Sequence, residues 1–381
     1  MHYYRYRSNS EVSLKELLYS EMYFSSPEEC NDPFDSKTFY VFDNNKDKWT
    51  KLLKFSLEQT NATISKDFLQ IMVDFLCASC PLTFDTAANS NFLEDFPSKT
   101  VEQSALVNFI AVRIKAILAI YKPPTKYFAS FSKLNSESLM WSHYANKHTG
   151  FCLIFKAIDG ELKLSPKFKK DQIIRKTPNG IANEMSYTLP ESFKFKDIEY
   201  KRDVESLDAF LHMPVAVTGD VSNQREAGKL STQRESHYLQ KGQSWFYESE
   251  TRLTLPPPPP WLFGEQITYS RQERLFHYEP SQLAGIIYGA RISIEDKIRI
   301  QEILKERKNF INEVSNYSRT VFNFVEFEAK LSTNQRQLNI EPISLNGKPT
   351  IDKDFKRLYK EWQEGYGYKR ENSSSRLIQV K

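Results

Sequence analysis

The chain has 381 residues and a formal charge of +4: it can bury one large core or two, and it carries no strong excess that would demand a polyanion as partner. Its 12 glycines are sparse, and neither GxGxxG nor GxxxxGK(S/T) occurs, which excludes the Gly-rich nucleotide loops. The 20 Tyr and 27 Phe suit sheets and stacking pockets.

From the N-terminus, Tyr3–Arg7 alternates and predicts a first strand. Ser10–Ser20 predicts a short helix, with Ser10 as its cap and Leu14, Leu17 and Leu18 as its buried face. Glu21–Ser25 predicts a second short strand, and Asn31-Asp32-Pro33-Phe34-Asp35 a turn. No apolar leader precedes these elements and no stretch reaches 18 consecutive apolar residues, so a cytoplasmic chain without a membrane partner is expected. Lys46–Tyr121 changes texture: Leu52, Leu53 and Phe55, then Ile71, Met72 and Phe75, then Phe109, Ile110 and Ile114 recur at helical spacing. Three or so helices inserted between strands are expected over residues 46–122. Cys77 and Cys80 fall inside an apolar helical run without a second ligand pair, so buried reduced thiols are expected there and no metal.

Tyr127–Ser132 and Gly150–Phe155 predict strands, with a short amphipathic helix at Ser136–Ala145 between them. Lys156–Tyr200 is basic and loop-rich, Ile198–Arg202 a weak strand, and Val204–Gln240 mostly helical by pattern. Ser244–Leu255 is rich in aromatic and β-branched residues and predicts a strand, stopped by the proline run Pro256–Pro260. Leu283–Tyr288 predicts a buried strand and Ser293–Lys308 a helix. Val321–Leu331 with Arg336–Ile343 predicts a hairpin, Asp352–Trp362 a helix, and Glu364–Lys381 a mobile tail. These elements describe an α+β fold with a mixed, mostly antiparallel split sheet. Its divisions are a main domain over 1–310 containing the insertion, an extension over 311–363 and a tail over 364–381.

The most informative stretch is Trp245-Phe246-Tyr247-Glu248-Ser249-Glu250-Thr251-Arg252. On a strand, residues two apart share a face, so Glu248 and Glu250 project together with Arg252 beside them, while Trp245, Tyr247 and Ser249 turn away. Two carboxylates held that close repel unless a cation, a metal or a function offsets the repulsion.

Several blocks resemble, in order and wording, the bacterial DUF2971 family. They are Tyr3-Tyr4-Arg5-Tyr6, Tyr23-Phe24-Ser25-Ser26-Pro27 and Asn31-Asp32-Pro33-Phe34-Asp35. Next come Phe128-Ala129-Ser130-Phe131-Ser132, Leu139-Met140-Trp141-Ser142-His143-Tyr144-Ala145 and Lys147-His148-Thr149-Gly150-Phe151-Cys152. The acidic block at Trp245–Arg252 and Ile286-Ile287-Tyr288-Gly289 complete the set. More distantly, the block order resembles an ADP-ribosyltransferase fold of the arginine–serine–glutamate kind. That fold carries an arginine on the first strand, a serine on a following strand and a Glu-x-Glu on a later one. Arg5 matches the first, Ser25 or Ser130 the second, and Glu248 with Glu250 the third. The Trp-Ser-His-Tyr block at 141–144 has no counterpart in that pattern.

The resemblance implies NAD as substrate. Breaking the nicotinamide–ribose bond builds positive charge on the ribose, which a carboxylate beside it stabilises while bonding the 2′-OH. Glu250 is expected in that role, and Glu248 in orienting or deprotonating the acceptor. Arg5 would hold the pyrophosphate through its fork of donors. Tyr4 or Tyr144 would stack on nicotinamide, Ser130 would position Glu248 or the ribose, and His143 and Arg252 complete the NAD-facing set. The implied setting is a toxin or anti-phage effector that transfers ADP-ribose to a macromolecule or hydrolyses NAD, with a partner protein from a defence operon. The acceptor is expected to be nucleic acid or a translation component, met by basic stretches at Lys163–Lys176 and Lys353–Arg370. Two rival readings compete. One is a metal-dependent nuclease using Asp32 and Asp35 with the two glutamates; the other is a non-catalytic scaffold whose acids close a salt-bridge network.

Overall fold

A computed structural model describes residues 1–58, 60, 62–122, 125–168, 172–175, 185–203, 205–219, 235–256, 268–314, 320–370 and 377–380. Its centre is a nine-stranded sheet. In chain order the strands are β1 (His2–Arg7), β2 (Tyr127–Ser132), β3 (Phe151–Lys156), β4 (Lys196–Asp197), β5 (Glu250–Leu255), β6 (Leu283–Tyr288), β7 (Val325–Leu331), β8 (Leu338–Leu345) and β9 (Lys348–Pro349). Across the sheet the order is β4-β5-β2-β1-β3-β6-β7-β8-β9, antiparallel throughout except for the parallel pair β6–β7.

Both faces of this sheet are covered, which explains why its central strands read as continuous apolar runs. Alternation along β3 sends Phe151, Leu153 and Phe155 to one face and Cys152 and Ile154 to the other. The first face packs on helix Glu11–Tyr19 through Leu14 and Leu17, and on helix Ile294–Val314 through Ile300. The second packs on helix Ser138–Tyr144 through Met140 and Trp141, and on helix Phe355–Glu364 through Phe355 and Trp362. Ser10 caps the first helix as expected, accepting from the Ser13 N–H.

The insertion is helical and has a core of its own, built from Trp49, Leu52, Met72, Leu76, Ile110 and Ile114. Its helices are Lys46–Leu57, Lys66–Ala78, Phe84–Asn89 and Val101–Ile120. Asn45, Ser65, Thr83 and Thr100 cap them, each accepting the backbone N–H three residues on. Val101–Ile120 is long and apolar enough to cross a membrane by length and composition, and it buries Val107, Ile110, Ile114 and Leu118 in this helical core. Cys77 and Cys80 are half-buried free thiols, more accessible than expected; Cys152 alone of the four is fully buried.

The join between β1 and β2 matters most for function. It consists of one register pair, Tyr4 with Ser132. Further along, Phe128 exchanges backbone hydrogen bonds with Ser25 instead, at 2.8 and 2.9 Å. The nine strands therefore form one sheet rather than a split one, joined loosely between β1 and β2.

Three other expectations change. Residues 244–255 are not one strand: Gln243–Glu248 is a 3₁₀ turn, Ser249 takes φ 44°, and only Glu250–Leu255 is extended. Between 204 and 240 the described residues hold a strand at Ser206–Asp208 and short helical turns, not a long helix, while 220–234 lie outside the described residues. In the tail, Gly367–Arg370 pairs with Thr320–Phe322 and with Leu377–Val380, so its described part forms strands. Prolines 257–260 and lysines 169, 170 and 176 lie outside the described residues.

Candidate active site

At the β1–β2 join lies a cleft of about 420 Å³, a volume in the range of small-molecule sites. Arg5 and Tyr4 of β1, Ser25, Ser130 of β2, His143 and Tyr144 of helix Ser138–Tyr144, and Glu248 and Glu250 all line it. Residues singled out from Tyr4 to Glu250 thus meet in one place.

The glutamates converge by a route other than the expected one. Glu248 ends the 3₁₀ turn and Glu250 opens β5; the left-handed Ser249 between them swings both carboxylates inward. Lys241 lies between them, its Nζ 2.5 Å from Glu248, 3.1 Å from Glu250 and 3.4 Å from Asp35. Arg252 grips Glu250 with Nε and Nη2 at 2.6 and 2.9 Å and reaches Asp35 at 2.6 Å. It also donates to the Ser36 hydroxyl and stacks 4.1 Å over the Phe128 ring. With every group ionised, three carboxylates face two cations, leaving the cluster one negative charge.

Burial raises the pKa of Glu250, but Arg252 and then Lys241 overrule it and hold the carboxyl down at about 2. The Ser130 hydroxyl adds a bond to Glu250, and the Glu250 N–H donates to the Tyr200 hydroxyl oxygen at 2.7 Å. Glu248 goes the other way: burial raises its pKa against the pull of Lys241. Tyr144 donates its hydroxyl to Glu248 Oε1 at 2.6 Å, and burial with that carboxylate drives the phenol pKa upward. The Ser132 hydroxyl donates to the Glu248 carbonyl at 2.7 Å, fixing the backbone where turn becomes strand.

Arg5 contributes a different element. Its guanidinium is buried, touches the Met22 sulfur, lies 3.5 Å from the Tyr23 carbonyl oxygen and stacks on Phe131 at 5.4 Å. Burial and then Arg7 lower its pKa to about 9 although Glu16, which pairs with Arg7, pulls the other way; among the described residues Arg5 itself forms no ion pair. An anion entering the cleft would supply one.

Residues 140–253 match a family described as a protein of unknown function, DUF2971. Over these residues the DUF2971 resemblance read from the sequence is borne out. No curated protein and no solved structure matches the chain. The DUF2971 segment contains His143, Tyr144, Lys241, Glu248, Glu250 and Arg252, whereas Arg5, Ser25, Asp35 and Ser130 come from the preceding chain.

The structure departs from the sequence reading of this site at two residues. Arg252 does not line the cleft; it is fully buried beneath Glu250 and serves as that carboxylate's counter-ion. Asp32 does not reach the glutamates either, since its carboxylate accepts the Phe34 N–H and closes its own turn. Lys241 and Tyr200 were not foreseen. Lysine is rarely buried, and nothing in Gln240-Lys241-Gly242 marks this one as an exception.

Proposed function

We propose that this protein cleaves NAD at the nicotinamide–ribose bond, as an ADP-ribosyltransferase or an NAD glycohydrolase, on a fold of the ADP-ribosyltransferase kind. One observation carries the proposal: a buried first-strand arginine that forms no ion pair among the described residues and a pair of glutamates line the same cleft at the loose β1–β2 join. Arg5 takes the pyrophosphate, supplying charge where the cleft lacks it. Glu250, ionised at any physiological pH, faces the positive charge that builds on the ribose. Glu248, the carboxyl whose pKa is raised, activates the acceptor hydroxyl, amine or water, with Tyr144 orienting it. Ser130 holds Glu250 in place, and His143, exposed at the rim, meets the acceptor or the nicotinamide.

The nuclease reading is less well supported. Asp35, Glu248 and Glu250 are bonded to Lys241 or Arg252, Asp32 does not reach them, and among the described residues no group of three or more His, Cys, Asp or Glu side chains is arranged to hold a metal ion. The effector role in anti-phage defence and a nucleic-acid or translational acceptor extend the same proposal by analogy alone.

The test is nicotinamide release from NAD by wild-type protein, Glu248→Gln and Arg5→Ala, with and without RNA, DNA and protein extract. Wild-type release that falls at least about 100-fold in Glu248→Gln, together with a raised KM in Arg5→Ala, is expected. Wild-type protein that releases nothing under any of these conditions would sink the proposal.

A further inference from the structure

We infer that Lys241 is a positioning residue of the cleft: its ammonium is the shared counter-ion that keeps Glu248 and Glu250 side by side as carboxylates. The inference rests on the NAD-cleaving reading, because only a reaction that needs Glu248 ionised makes this lysine matter to rate.

Geometry carries it. Lys241 Nζ lies within 3.4 Å of Asp35, Glu248 and Glu250, which come from two segments far apart in sequence, and its side chain is 3 % exposed. Its own segment, Gln240–Gly242, pairs in parallel with Glu199–Lys201, and the Trp245 ring lies 4.9 Å from the ammonium. Arg252 faces Asp35 and Glu250 from β5 and makes no bond to Glu248. Lys241 is therefore the cation that Glu248 depends on. The other titratable groups facing the cluster are Tyr144 and Tyr247 from the Glu248 side, Tyr200 from the paired strand, and Cys30 from the loop before Asp35. All four are neutral acids whose pKa burial raises, so none can replace the lysine's charge. Burial opposes the ammonium, but Glu250, Asp35 and Glu248 together keep it firmly protonated. Without it, two buried carboxylates would share one site, and the less compensated one, Glu248, would take up a proton.

The experiment compares wild-type protein, Lys241→Met and Lys241→Arg by two readouts. One is the pH profile of nicotinamide release; the other is carboxyl titration by carbon-13 NMR of labelled glutamate, with Glu248→Gln and Glu250→Gln assigning the signals. In Lys241→Met the acid limb and the Glu248 signal should both move up by about one pH unit or more, and Lys241→Arg should restore most of the shift. A lysine that serves only the fold would lower the rate equally at every pH, and that result overturns the inference. If wild-type protein releases no nicotinamide, the NAD reading fails while the Glu248 titration still decides for or against the lysine. If Lys241→Met does not fold, Lys241→Gln, which keeps a hydrogen-bond donor without the charge, decides: a Glu248 signal that moves up upholds the inference, and one that stays at the wild-type position overturns it.

Discussion

Glu250 is held by Arg252 and Lys241 in a site with almost no exposure, so its charge is tied to stability as well as to any reaction. Replacing it with Gln leaves Arg252 with Asp35 as its remaining acid and removes one of Lys241's three partners. Breaking a buried pair in this way costs about 3–5 kcal/mol, which chemical denaturation of Glu250→Gln against wild type should show. The pH dependence has a fixed sign. The folded-state pKa of about 2 lies below the ordinary 4.5, so this stabilisation is complete above about pH 4.5. It is lost as pH falls from there toward about 2. Denaturation midpoints measured across that window should fall in wild type and fall less in Glu250→Gln. An equal slope in both would mean that Glu250 is not the depressed carboxyl.

Two elements set the geometry of the cleft. Helix Ser138–Tyr144 is only two turns long and holds its angle through Trp141, which is fully buried against Tyr6 and donates Nε1 to the Asn135 carbonyl at 2.8 Å. Through that anchor Tyr144 reaches Glu248. The chain then returns into β3 through Gly150, where a Cβ would lie 2.1 Å from the Arg7 carbonyl oxygen. That neighbour is backbone and cannot yield, so Gly150→Ala must push β3 away from the end of β1. The variant should lose about 1–3 kcal/mol and bind any cleft ligand more weakly, read by thermal melting and calorimetric titration. A melting point equal to that of wild type would show that the two strands part without loss.

Across the whole molecule, apolar burial falls into clusters that divide between the two faces of the sheet and the helical insertion. The insertion centres on Trp49, fully buried beside Phe42 and Phe210, with Nε1 donating to the Asp43 carbonyl. Trp49→Ala removes about 3–5 kcal/mol from this cluster. Because the helical core is distinct from the sheet cores, its loss should appear as an earlier helical transition in circular dichroism, ahead of the main melt. One unchanged transition would mean that the insertion and the sheet unfold as a single unit.

Local sequence determined much of this protein. The alternating first strand, the Ser10-capped helix, the apolar strands at 127–132, 151–156 and 283–288 and the helical insertion all follow from periodicity and caps, which are short-range properties. The acidic pair was legible too, because two glutamates beside an arginine in an aromatic setting stand out in any reading. Its geometry was not: strand alternation led to the right pair, but a 3₁₀ turn and a left-handed Ser249 bring them together. Arg252 stands beside Glu250 in the sequence, but Asp35 meets the cluster from a distant segment, and Lys241 reaches it from a strand of a separate small sheet. Charge pairing acts through space and burial multiplies its strength, so the tertiary structure decided that Lys241 answers Glu248 and that Asp35 joins the cluster.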